Sequence, residues 1–182
     1  MFIPNTYNFF WNTDAQKLLG RMKREYEKFW NKDRSTLSLV DNLTPTEVSI
    51  LASIVQKESM HNDEMPVIAG VYINRLRKGI PLQADPTILY MIGDTSIRRV
   101  RSALTEIVSP FNTYLNTGLP PAPICVPSIQ AIDAVLNYAK HNYYYFCARE
   151  DFSGYHNFAC GMNAHQKNAI KYQRALNRAG IH

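Results

Sequence analysis

The stretch that most constrains the fold runs from residue 43 to residue 79 and reads LTPTEVSILASIVQKESMHNDEMPVIAGVYINRLRKG. It predicts two helices separated by a polar break. Thr44, Pro45 and Glu47 make a capping box with a proline in the first turn, which is typical of a helix start. Residues 48–55 are apolar on nearly every side, as in a helix that lies within a protein core.

Glu58 lies near the end of this first helix, three, four and seven residues after Val55, Ile54 and Leu51. These spacings place its carboxyl group on an apolar face. Such a carboxylate is costly unless it is paired, hydrogen-bonded or protonated. One interpretation is a structural ion pair with an Arg or Lys, and the other is a general acid kept protonated, as in glycosidases. The spacing alone favours neither.

The second helix is predicted over residues 65–78, with Asn62 or Asp63 as its cap. Asn74 is polar within the inward pattern of this helix and is a candidate for a site beside Glu58.

Residues 80–90, IPLQADPTILY, contain two prolines that argue against a long regular element. Gln83, Asp85 and Thr87 stand among apolar neighbours, so an extended segment would present all three on one side. We interpret the segment either as a substrate-lining strand or as a surface turn held by the Asp85 side chain.

Residues 109–127 include five prolines and one glycine and predict a long irregular loop. Long ordered loops are often functional. Asn112, Thr113 and Tyr114 combine hydrogen-bonding groups with an aromatic face, which suits sugar recognition.

The remaining patterns predict helices and one β-hairpin. His156 lies on the hairpin and is either structural or a supporting site residue. The predicted elements are a helix over 12–32 capped by Thr13 and Gln16, a helix over 128–139 capped by Ser128, hairpin strands over 143–148 and 155–158, and a helix over 163–178.

Composition narrows the class of protein. The 182 residues and a hydrophobic fraction of 46% suit one domain with a real core. The net charge of +5 comes from dispersed residues, which favours a solvated basic face over a nucleic-acid site. The three cysteines are not closely spaced, and the histidines lack a second histidine at ligand spacing, so we predict no metal site. The sequence has no glycine-rich phosphate-binding loop, so we predict no cofactor. The start of the chain has no signal peptide, and we expect a fragment of a longer chain.

Four stretches together resemble the endolytic murein transglycosylases, the MltG or YceG-like family. They are ASIVQKES (52–59), IAGVYINRLRKGIPLQADPT (68–87), SPFNTYLNTGLPPAPI (109–124) and YYFCAREDFSGYHNF (144–158). The resemblance covers about residues 43–180 in the family's order.

The resemblance implies a lytic transglycosylase that cleaves the β-1,4 bond between N-acetylmuramic acid (MurNAc) and N-acetylglucosamine (GlcNAc) in peptidoglycan and leaves 1,6-anhydro ends. Its catalytic acid/base maps onto Glu58. Many members carry a second glutamate two residues earlier, where this chain has Gln56. The implied cleft is lined by the polar groups at Gln83, Asp85, Thr87, Asn112, Thr113 and Tyr114, with His156 and Asn74 in support.

We therefore expect an α+β fold, a mostly helical, lysozyme-like core around the Glu58 helix with a small β part from the Gln83 region and the hairpin. Residues 1–42 are expected to be a lead-in and packing helix, the tail of an upstream LysM-like region, and residues 43–182 the catalytic domain. The implied location is the periplasmic or extracytoplasmic side of the inner membrane, through an anchor absent here. The implied partners are glycan strands and cell-wall synthases, with no nucleic acid and no cofactor.

Two alternatives remain open from the sequence. A muramidase would use water and need Asp85 as a second carboxylate beside Glu58. A peptidoglycan-binding scaffold would bind the same strands without cleaving them.

Overall fold

The structure is a computed structural model that describes residues 2–31, 34–35, 42–94, 97 and 100–180. It has an α+β fold, mostly helical with a small antiparallel sheet, and the predicted class is confirmed. The helices are α1 (Ala15–Phe29), α2 (Pro45–Glu58), α3 (Met65–Arg77), α4 (Asp85–Ile92), α5 (Ile129–Leu136) and α6 (Met162–Arg178), with a 3-10 turn at Ser102–Glu106 and strands β1 (Tyr145–Ala148) and β2 (His156–Ala159).

Helix α2 lies at the centre of the core, as its apolar residues predict. The capping box is present: the Thr44 backbone N–H donates to Glu47 Oε2 at 2.7 Å, and the Glu47 N–H donates to Thr44 Oγ1 at 3.3 Å. Residues 48–55 are all buried, and they pack against α3 and α5. An apolar helix surrounded in this way holds its last residue, Glu58, at a fixed place in the fold.

The loop before α5 is tied to α2 by polar groups of the core helix. The Ile124 N–H donates to the buried Ser53 Oγ at 3.0 Å, and the Ser128 N–H donates to Gln56 Oε1 at 2.5 Å. Ser128 also caps α5 as predicted, since its hydroxyl accepts the Ala131 N–H at 3.1 Å. Gln56 therefore holds the loop against the helix that ends at Glu58.

Two predicted caps were wrong. Helix α1 is capped by Asp14, which accepts the Lys17 N–H at 2.8 Å, one residue after the predicted Thr13. Helix α3 begins after Glu64 without a side-chain cap, in place of the predicted Asn62 or Asp63. The Glu64 carboxylate instead binds the hairpin, where it accepts a hydrogen bond from the His156 backbone N–H at 2.8 Å.

The segment from 80 to 92 is neither the predicted strand nor the predicted surface turn. It runs without regular structure to Ala84 and then forms α4, with Asp85 in the first turn and Pro86 beside it. A proline is tolerated at that position because the first helical N–H groups have no partner within the helix. In the described part of the chain the sheet is the β1–β2 hairpin, with Tyr145 opposite Ala159 and Ala148 opposite His156.

The proposed boundary between a lead-in and a catalytic domain falls beside residues 36–41, which lie outside the described residues. Trp30, which follows α1, belongs to the same buried cluster as Val48 of α2 and Tyr72 of α3. The division at residue 42 therefore stays a prediction. Across the described ranges, no helix is both long enough and apolar enough to span a bilayer.

Helix α3 meets the chain after α5 at Gly70. The Ala139 N–H donates to Pro66 O at 2.9 Å, and His141 Nε2 lies 2.9 Å from Val67 O. A Cβ added at Gly70 would lie 2.4 Å from Ala139 O and 2.6 Å from His141 Nε2. The absence of a side chain is what allows this close backbone contact.

We expect Gly70→Ala to lower the free energy of unfolding by about 1–3 kcal/mol, because the backbone must move to admit the methyl group. Gly20→Ala in α1 is the matched control, since the nearest atom to its added Cβ is Arg24 Nη1 at 3.6 Å. It should raise stability by about 0.5–1 kcal/mol through a less flexible unfolded chain. Urea unfolding measures both, and equal effects at the two sites would contradict the packing argument.

Candidate active site

Glu58 opens onto a cavity of about 370 Å³ where the ends of several elements meet. The elements that border it are α2, α3, the start of α4, the 109–127 loop, β1 and the first turns of α6. The lining residues are Glu58, Tyr72, Arg75, Leu82, Gln83, Asp85, Tyr114, Tyr145, Phe146, Met162 and His165.

The Glu58 carboxyl group is held by one neutral donor. The hydroxyl of Tyr72, on α3, donates to Glu58 Oε1 at 2.5 Å. Among the described residues no Arg or Lys forms an ion pair with Glu58, which removes the basis for the structural interpretation. The arrangement leaves a carboxyl group that no cation stabilises in its charged form.

Burial raises the pKa of Glu58 from its ordinary value of 4.5 to about 7. The Tyr72 hydrogen bond opposes this rise because it favours the carboxylate, and the charge of Asp85 adds to the rise. A group with this pKa is present in both protonation states near neutral pH, which is what general acid/base chemistry requires.

Tyr72 is a site residue that the sequence analysis missed. It is 1% exposed, and its ring packs edge-on against Phe146 of the hairpin, with the ring centroids 5.8 Å apart. A tyrosine on the inward face of a helix could have indicated a site residue, because a buried phenol normally needs a hydrogen-bond partner. Here that partner is Glu58.

Asp85 and Tyr114 lie together on the wall of the same cavity. The Tyr114 hydroxyl donates to Asp85 Oδ1. Burial raises the pKa of Tyr114, and the bond to Asp85 raises it further because an anion opposes loss of the phenol proton. Asp85 sits in the first turn of α4, where the helix dipole favours a negative charge.

Gln83 faces the cavity from a backbone conformation with φ 52°, which is uncommon for a residue with a side chain. Its N–H donates to Thr113 O at 2.9 Å, and its Oε1 accepts from Arg75 Nη1 at 3.1 Å. These contacts hold the strained residue in place.

Three of the predicted cleft residues are buried within the protein instead of facing the cavity. The Thr113 hydroxyl accepts the Ala84 N–H at 3.0 Å and lies 2.9 Å from the Thr87 hydroxyl. Asn112 donates to two carbonyl groups, of Thr105 at 2.9 Å and of Ile107 at 2.7 Å. Buried polar groups need such internal partners, and these ones shape the loop that presents Tyr114.

Asn74 and His156 also lie outside the lining of the cavity. Asn74 donates to His141 O at 2.8 Å and Tyr143 O at 3.0 Å, which ties α3 to the chain before β1. His156 Nδ1 donates to Glu64 Oε2 at 2.7 Å, and its ring packs edge-on against Phe146. His156 thus supports the cavity wall from behind, and the structure brings together only Glu58, Gln83, Asp85 and Tyr114 of the predicted residues.

Arg75, Tyr145 and His165 complete the cavity and were not predicted as site residues. Tyr145 stacks on His165, with ring centroids 5.3 Å apart. Burial and the charge of Arg75 lower the pKa of His165, so its ring is neutral near pH 7. Nothing in the described part of the chain groups three or more potential metal ligands.

We expect the difference in free energy of unfolding between Glu58→Gln and wild type to favour the variant more at pH 8 than at pH 4. Between about pH 4.5 and pH 7 the folded chain holds a proton on Glu58 that the unfolded chain releases, so wild-type stability falls as pH rises. The amide removes this loss, and the gain over wild type should grow to about 1–3 kcal/mol above pH 7. Urea unfolding across this range measures it, and a pH-independent difference would contradict the raised pKa.

Tyr72→Phe should raise the pKa of Glu58 further, because it removes the one donor that favours the carboxylate. Titration of the carboxyl carbon by NMR measures the change. Tyr90→Phe is the control, since Tyr90 borders a different cavity and should leave the value unchanged. A lower Glu58 pKa in Tyr72→Phe would show that the hydroxyl does not stabilise the charged form.

Known proteins resemble this chain in both sequence and fold. The model of the YceG-like family matches residues 1–171. The chain is 33% identical over 173 residues to the endolytic murein transglycosylase of Streptococcus pneumoniae serotype 2 (strain D39 / NCTC 7466), covering 93% of this chain and 31% of that protein. It is 39% identical over 127 residues to the endolytic murein transglycosylase of Bacillus subtilis (strain 168), covering 70% and 34%.

The crystal structure of a YceG-like protein from Listeria monocytogenes superposes with a TM-score of 0.78 at 31% identity, covering 91% of this chain and 53% of that one. The chain spans about a third of the length of the curated relatives that it matches. Since the family model matches nearly the whole sequence, the chain belongs to the YceG-like family.

Proposed function

We propose that this chain is the catalytic part of a peptidoglycan lytic transglycosylase, with Glu58 as its single general acid/base. The observation that carries the proposal is the Glu58 carboxyl group, which opens onto the cavity with a pKa of about 7 and a neutral phenol as its partner. The endolytic murein transglycosylases among the relatives support the same substrate and reaction.

The reaction begins with proton transfer from Glu58 to the oxygen that links MurNAc C1 to GlcNAc. The C1–O bond breaks, the GlcNAc hydroxyl leaves, and positive charge develops at C1. The N-acetyl group of the substrate stabilises that charge, so the mechanism does not need a second protein carboxylate as nucleophile. Glu58 is then a carboxylate.

The second step returns the proton. The C6 hydroxyl of the same MurNAc attacks C1, and Glu58 accepts the proton that this hydroxyl loses. A 1,6-anhydro ring forms, no water is consumed, and Glu58 ends protonated as it began. The reaction needs a protonated Glu58 at its start, so the rate should fall as pH rises above about 7.

We propose that Gln83, Asp85 and Tyr114 contact the sugars, because these residues border the cavity beside Glu58. We assign them hydrogen bonds to the N-acetyl and hydroxyl groups. The other predicted residues support the cavity walls through hydrogen bonds within the protein: Thr87, Asn112, Thr113, Asn74 and His156.

One observation favours a second candidate, a muramidase. Asp85 faces the same cavity as Glu58 and could act as the second carboxylate that activates water. Hydrolysis would yield reducing MurNAc ends. A scaffold that binds strands without cleaving them is the remaining alternative from a different class.

The substrate implies a cellular setting and partners. Peptidoglycan lies outside the cytoplasmic membrane, so we place the activity on the extracytoplasmic side, in the periplasm where there is one, with an anchor supplied by another part of a longer chain. Cell-wall synthases, which make the strands, are the partners we propose on this basis.

We expect Glu58→Gln to reduce cleavage of purified glycan strands at least about a hundredfold, because the amide cannot donate or accept the proton. Mass spectrometry of the products measures the anhydro ends, which are lighter by one water than hydrolysed ends. Glu106→Gln, which changes an exposed glutamate in the 3-10 turn, is the matched control and should retain full activity.

The products separate the alternatives. Reducing ends that disappear in both Glu58→Gln and Asp85→Asn would favour the muramidase. Strand binding without any product from wild type would favour the scaffold. Anhydro ends made by Glu58→Gln at the wild-type rate would refute the assignment of Glu58.

A further inference from the structure

Arg75 is a buried cation on the wall of the Glu58 cavity. It is 6% exposed, and among the described lining residues it is the single Lys or Arg. It lies three residues after Tyr72 on α3, so the two side chains share a helix face with Cβ atoms about 5–6 Å apart. Arg75 and Tyr72 both line the cavity from this face of α3.

The contacts of Arg75 are all with neutral acceptors. Its Nε donates to Tyr144 O at 2.7 Å, and its Nη1 donates to Pro81 O at 3.0 Å, Leu82 O at 2.9 Å and Gln83 Oε1 at 3.1 Å. No Asp or Glu forms an ion pair with it in the described part of the chain. A buried charge without a counter-ion is rare, because burial penalises it.

The Nη2 atom of Arg75 is the guanidinium nitrogen that has no hydrogen bond to a described residue. Nη2 is not among the described side-chain atoms that are buried without a partner, so it has some exposure, and Arg75 is one of the residues that line the cavity. The N–H groups of Nη2 are therefore the donors of Arg75 that remain for a group that enters the cavity.

Neutral groups surround this end of the cavity. The Tyr145 ring lies beside the guanidinium, with Cζ 5.2 Å from the ring centroid, and His165 stacks on that ring. His165 is neutral near pH 7, so it adds no positive charge. The site offers one guanidinium in a low-dielectric wall, where an ionic hydrogen bond is strong.

We propose that Arg75 forms a carboxylate-binding subsite of the cavity, which recognises an anionic group on the MurNAc residue whose bond is cut. This inference rests on the proposed function and adds a charge requirement to its substrate. A bound carboxylate would accept hydrogen bonds from the N–H groups of Nη2 and supply a counter-ion that none of the described residues provides.

The MurNAc residue has two sources of such a carboxylate. Its lactyl ether branches from C3 of the ring whose C1 forms the scissile bond, and it ends in a free carboxylate when no peptide is attached. When a stem peptide is attached, the lactyl group is an amide and the nearest carboxylates belong to the peptide. Both are carboxylates, and matched substrates separate them.

The test compares three glycan strands of equal length: peptide-free strands, the same strands with the lactyl carboxyl converted to a methylamide, and strands that bear stem peptides. We expect wild type to cleave the peptide-free strands with a kcat/KM at least about tenfold higher than the methylamide strands. Peptide-bearing strands that match the methylamide identify the lactyl carboxylate as the ligand. If the peptide-bearing strands instead have a kcat/KM as high as that of the peptide-free strands, the stem peptide is an additional source of the carboxylate. Equal values for all three strands would overturn the proposal.

Variants test whether Arg75 is responsible. Arg75→Gln should bring the ratio of the two kcat/KM values close to one, and Arg75→Lys, which keeps the charge but loses the planar fork, should give an intermediate ratio. Arg77→Gln removes the same charge from the same helix outside this cavity and should keep the wild-type ratio. A wild-type ratio in Arg75→Gln would assign Arg75 to structural support of residues 81–83 alone.

A binding measurement separates this inference from the proposed function. In the Glu58→Gln background, calorimetry should show the peptide-free tetrasaccharide binding at least about tenfold more tightly than its methylamide, and adding Arg75→Gln should abolish the difference. Absence of all products from wild type would contradict the proposed function, while this binding difference would still support the subsite. Equal binding of the two ligands would reject the subsite even if anhydro products form.

Discussion

The hydrogen bond between Tyr72 and Glu58 joins the two helices that the rest of the molecule surrounds. It places a phenol, rather than a cation, against a carboxyl group at the end of a buried helix. A cation at this position would lower the pKa of Glu58 far below neutral, and an aliphatic residue would leave the carboxyl group without a partner. The phenol satisfies one oxygen and still allows a pKa of about 7.

Other elements keep this pair in a fixed geometry. Phe146 of the hairpin packs on the Tyr72 ring, and His156 packs on Phe146. His156 is bonded in turn to Glu64, whose carboxylate also accepts from Ser59, the residue after Glu58. The hairpin is thus connected to the break between α2 and α3, and a small sheet supports a helical site from outside the cavity.

Charge is unevenly distributed along the cavity. Asp85 and Tyr114 form a polar pair on one wall, while Arg75 and Gln83 are bonded to each other on another. The proposed chemistry uses Glu58 for proton transfer and leaves these two walls for recognition of the substrate. Among the described residues, the cavity thus has a carboxyl group at Asp85 and a guanidinium without an ionic partner at Arg75, and the proposed carboxylate subsite depends on the latter.

Local rules in the sequence determined much of this protein. The capping box at Thr44, the apolar run of α2, the Ser128 cap and the aromatic hairpin all depend on neighbours in the chain, and the structure has them in place. The apolar spacing around Glu58 likewise indicates a carboxyl group in unusual surroundings.

Tertiary structure decided which groups contact the Glu58 carboxyl group. Tyr72 reaches Glu58 from another helix, and Thr87, Asn112 and Thr113 turn away because the 109–127 loop needs their hydrogen bonds. Arg75 lines the cavity because residues 80–83 fold back onto α3. Such contacts join residues of different elements, and the periodicity of a single helix or strand carries no information about them.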